Sequence, residues 1–157
     1  MGEVDEDRRR SLNPNTETTS MPTVEIVALL IPADMAEPMK PVRIANNLSS
    51  MYPVIGTQQV TSIAPRRFPD CLLWVDEDIM SHNENCIPNL RATVLAGIGL
   101  YGTAILVSEV TGSGQFRSWD EQNPLPFAPC VLQGFCEAVA NSVAGRTMIL
   151  HMTKEIA

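Results

Sequence analysis

The sequence predicts a small α+β domain, a mixed, mainly antiparallel sheet with two or three short helices packed on it. Three observations lead there. The aliphatic runs VEIVALLI (24–31), CLLWV (71–75) and YGTAILVSEV (101–110) have the length and the branched composition of strands. Twelve prolines in 157 residues interrupt the chain too often for long helices. Two segments that begin at asparagine and end at glycine, 47–56 and 89–97, carry helix start and stop signals.

The elements follow in order. Residues 1–20 are polar, with acids at Glu3, Asp5, Glu6 and Asp7 ahead of Arg8-Arg9-Arg10, and are expected to form a disordered tail. Met21 is an alternative start, because the ordered pattern begins just after it. The run 24–31 reads as a strand buried on both faces and ended by Pro32. Val42-Arg43-Ile44 alternates as a second strand does. Asn47 caps a brief or kinked helix through Leu48, Met51 and Ile55, with Pro53 inside it and Gly56 as its stop. Residues 58–63 and 71–75 are further strands, the second closed by Asp76-Glu77-Asp78. Asn89 caps a helix that Gly97 ends. The strand 101–110 turns at Thr111-Gly112-Ser113-Gly114 and returns over 115–119. A proline-rich linker (123–129) leads to a helix over 130–143 with Val131, Leu132, Phe135, Val139 and Val143 on one face. Gly145 is read as its end, and TMILHM (147–152) as a last strand. The expected organisation is a tail (1–20), a domain (21–122) and a helix-strand extension (123–157).

Composition bounds the function. Hydrophobic residues make up 45% of the chain, enough for a core without disulfides, while aromatics at 5% leave it to aliphatic side chains and methionine. The formal charge of −7 disfavours nucleic-acid phosphates and favours basic partners. The carboxylates are too scattered for a DNA mimic. Cys71, Cys86, Cys130 and Cys136 show no C-x-x-C pair, and His82 and His151 complete no zinc pattern, so reduced thiols are expected and no metal or cofactor. The N-terminus has no apolar signal core and no run long enough to span a membrane, which predicts a cytoplasmic protein. Glu6 stands where a myristoylation signal needs Ser or Thr. The triplet Asn47-Leu48-Ser49 is better read as a cap than as a glycan acceptor.

Few residues invite chemistry. Asn89, Arg91 and Thr93 form the most interesting polar cluster. A helix start beside an arginine suits an anion such as a nucleotide phosphate. Capping alone also explains Asn89, with Arg91 as a surface residue bonding a loop. Arg66-Arg67 beside Phe68 suits either a clamp on an aromatic phosphate ligand or an exposed tip. Asp76, Glu77 and Asp78 are adjacent and so point apart, which favours solvated charge over a cation site. His82 and Cys86 lack an activating motif, and the 111–114 glycines lack the lysine of a phosphate loop.

The run from 24 to 119 resembles a single-domain family of unknown function, common in bacteriophages, plasmids and other mobile elements. The resemblance lies in the order VEIVALLIP, a short strand, N-N-L-x-x-M before Gly56, CLLWVDED, PNLRATVLAG, and YGTAILVSEV with its return. Its most specific piece is PNLRAT (88–93) ahead of the Gly102-Thr103 strand. Relatives often carry a glycine pair after the first helix, where this chain has only Gly56. The resemblance implies a mobile-element origin and intracellular action, and no reaction. The leading expectation is a non-enzymatic binding protein that modulates a host protein. The alternative is a protein that sequesters a small anionic, nucleotide-type signal through Asn89, Arg91, Thr93, Arg66 and Arg67. An enzyme ranks last, since no base or nucleophile has a visible partner. Pairing of two copies across a two-fold axis is compatible with the short strands and separate C-terminal helix.

Overall fold

The computed structural model describes residues 24–65, 68–79, 86–109 and 115–156, with side chains to His151. Six strands form one sheet: β1 (Glu25–Ile31), β2 (Lys40–Ala45), β3 (Val60–Ile63), β4 (Cys71–Asp76), β5 (Ala104–Glu109) and β6 (Phe116–Arg117). The order is β2-β1-β5-β4-β3, with β6 also on β5, and every pairing is antiparallel. Among the described residues four α-helices accompany it: α1 (Tyr52–Ile55), α2 (Leu90–Ala96), α3 (Pro129–Asn141) and α4 (Val143–Ile156). A tight turn of helix, Leu48–Met51, runs directly into α1. The α+β class and mainly antiparallel sheet are as expected, with one or two helices more.

Strand alternation explains the two cores. Side chains on a strand point to opposite faces in turn. Leu29, Leu73, Ala104 and Leu106 face α2 and α3 and pack with Leu90, Leu95, Leu132 and Cys136. Ala28, Ile105 and Val107 face the other way, onto Met51, Ile44 and Phe116. The sheet is therefore covered on both sides, which is why its central strands lack a polar face. At about 25 cal/mol per Å² of apolar surface, these two interiors supply the main drive for folding.

Local signals set the short helices. Asn47 accepts the Ser50 N–H at 2.9 Å and so caps the 48–51 turn. Pro53 sits at the start of α1, where its missing N–H costs nothing. Gly56 ends α1 at φ 94° and Gly97 ends α2 at φ 81°, left-handed values that favour glycine. Asn46 does different work: its amide donates to Phe116 O and accepts the Phe116 N–H, both at 3.1 Å, and so substitutes for a strand partner of β6.

The C-terminal segment corrects three expectations. Residues 147–152 belong to α4 and not to a strand. Gly145 does not end a helix; α3 stops at Asn141, and the Ser142 hydroxyl accepts the Gly145 N–H at 2.9 Å to cap α4. The buried face of α3 is Leu132 and Cys136, while Val131 and Phe135 point to solvent. The return strand is also shorter than expected, two residues in place of five. The expected tail (1–20), the Met21 start and the 111–114 turn lie outside the described residues.

Gly145 is needed for the α3–α4 corner, because a Cβ there would lie 1.6 Å from Val139 O. Gly145→Ala is expected to lower the urea-unfolding free energy by about 2 kcal/mol or more, as overpacking against backbone does. Gly134→Ala, whose Cβ meets nothing within 4 Å, should instead raise it by up to about 1 kcal/mol through helix propensity.

Candidate functional site

The PNLRAT segment builds a buried polar clamp. Asn89 is fully buried at the cap of α2. Its Oδ1 accepts the Ala92 N–H at 3.0 Å, and its Nδ2 donates to Ile31 O at 3.0 Å and Gly102 O at 2.7 Å. One side chain thus caps the helix and joins the end of β1 to the start of β5. Thr93, one turn on, accepts the Leu100 N–H at 2.9 Å and donates to Leu100 O at 3.4 Å. The Asn89 N–H in turn donates to Leu100 O. The 89–100 excursion is therefore closed by the Thr93 side chain and the Asn89 main chain.

Arg91 is buried and not on the surface, although it bonds to a loop as expected. Its Nη2 donates to Pro32 O at 2.8 Å and Asp34 O at 3.0 Å, and its Nη1 donates to Gln133 Oε1 at 2.9 Å. Nε has no hydrogen-bond partner. Desolvation lowers the Arg91 pKa, and the Cys136, Asp34 and Glu37 side chains oppose that shift. Gln133 passes the contact on, donating to Met35 O and Glu137. The arginine therefore ties the loop after β1 to α2 and α3. Asn89, Arg91 and Thr93 come together as a structural unit whose donors meet backbone oxygens and, from Arg91 Nη1, the Gln133 side chain. Arg66, Arg67 and His82 lie outside the described residues.

The loops held by this clamp wall a cleft of about 350 Å³ at the end of the sheet. The loop after β1 contributes Asp34 and Glu37, the end of β4 contributes Asp76, and Gly102-Thr103 leads into β5 beside them. The three adjacent acids diverge as expected, with Asp76 buried and Glu77 and Asp78 exposed. Asp34 and Glu37 were not singled out from the sequence. Their only signal is two acids in a proline-bounded loop directly after the first strand. Gln133 carries no local signal at all.

The four cysteines are free, with Cys130 exposed and the other three buried. Burial pushes the Cys71 thiol up to about 11, aided by Asp70. Burial pushes Cys136 to about 11 as well, against the pull of Arg91 and with a push from Glu137. Among the described residues no group of three or more His, Cys, Asp or Glu is placed to hold a metal. No described helix is long and apolar enough to cross a membrane.

Comparison with known proteins adds little. No family model and no curated protein sequence matches the chain. Among solved structures it is similar to the small RNA methyltransferase HEN1, with a TM-score of 0.49 and 18% identity over 85% of this chain and 19% of that one. The chain thus spans under a fifth of that protein, and the likeness is too slight to transfer an activity.

The clamp predicts asymmetric mutational costs. Asn89→Asp keeps the cap but loses both donors, and should cost about 3 kcal/mol or more in chemical denaturation because two buried carbonyls lose their partner and face a carboxylate. The thiols predict alkaline sensitivity. An unfolded thiol ionises before the folded Cys71 and Cys136, so the unfolded state loses protons first. Stability should fall as pH climbs from about 9 to about 11. Replacing both with alanine should flatten that limb of the stability profile.

Proposed function

We propose that this chain is a non-enzymatic binding protein that docks on another protein through the outward face of α3. One observation carries the reading. Val131 is 67% exposed and Phe135 54% exposed, four residues apart on one helix, with exposed Gly134 and Ala138 completing the stripe. Isolated surface hydrophobes are ordinary, but an aligned stripe is the form in which a helix enters a partner's groove. The small residues beside Phe135 permit close approach of another backbone. α4 adds exposed Val143 and Leu150, seven apart and so on one side of that helix.

Other features agree. Asn89, Arg91 and Thr93 are engaged in holding the fold, and Cys71 and Cys136 keep their protons well above neutral pH, which makes them poor nucleophiles. The charge of −7 favours a partner with a basic surface. The resemblance of 24–119 to a mobile-element family supports a host protein as the target. For the nucleotide-sequestering alternative, the Arg91 end groups are already engaged with carbonyls and Gln133, which leaves Arg66 and Arg67 to carry it.

The test is capture from host lysate with the tagged full chain and two variants, Phe135→Asp and Val131→Asp. The expected result is one stoichiometric partner for the parent and at least about tenfold less for either variant, a loss of about 1.4 kcal/mol, with thermal melting unchanged. Equal recovery by Phe135→Asp, or no partner for the parent, overturns the reading.

A further inference from the structure

We draw no further inference here: the strongest candidate, the apolar groove of about 460 Å³ that Leu29, Met39, Trp119 and Leu125 line between β1 and the 119–129 segment, carries Asp120 and Glu121 on one wall and has exposed Arg43 paired opposite Val27 on another, so charge selects no occupant and nothing in the structure shows what covers it.

Discussion

The structure depends on a charged group placed where water cannot reach it. Arg91 is buried between α2, α3 and the loop after β1, and its guanidinium finds main-chain oxygens and an amide in place of a carboxylate partner. Hydrogen bonds from an ionised donor are stronger than neutral ones, so three of them go far toward replacing lost hydration. Asp34 and Glu37 add a favourable field without direct contact. The planar fork of arginine matters here, because its two end nitrogens reach α3 and the loop after β1 at once. Asn89 completes the arrangement by holding the backbone of β1 and β5 from the same helix. The helix is only seven residues long, and isolated helices of that length are unstable. It persists because its first turn is wired into the sheet.

That wiring has an effect on the surface. Loops that leave strand ends are usually the mobile part of a domain. Here the two that flank the cleft are each tied from beneath, at Pro32 and Asp34 on one side and at Gly102 on the other. Their carboxylates and glycines are thereby held at a fixed spacing. The same loop also borders a second depression that includes Gln133 and Glu137 of α3. The cleft and this depression therefore lie on either side of one tethered segment.

The parts legible in the sequence were those written locally. Asn89 with Gly97, and Asn47 with Gly56, mark helix ends within a few residues of the bonds they make. The central strands were visible because a sheet covered on both faces needs unbroken aliphatic runs. The burial of Arg91 was not visible, since its partners lie at positions 32, 34 and 133. The face of α3 was misread for a specific reason. Val131 and Phe135 are more apolar than Cys136, so a hydrophobic count points the helix outward-face in. The TMILHM run was read as a strand because a short apolar stretch fits either period. The Ser142 cap decides in favour of a helix.

The rims of the sheet carry a final implication. On one side stands β2, with Lys40, Pro41 and Arg43 along it; on the other stands β3, four residues long. A ring nitrogen without hydrogen, two cationic side chains and a very short ladder all discourage another chain from adding itself as a further strand. Growth by edge addition, the usual beginning of fibrils, is disfavoured at both margins. Contact through side-chain surfaces is thereby favoured over the addition of a strand.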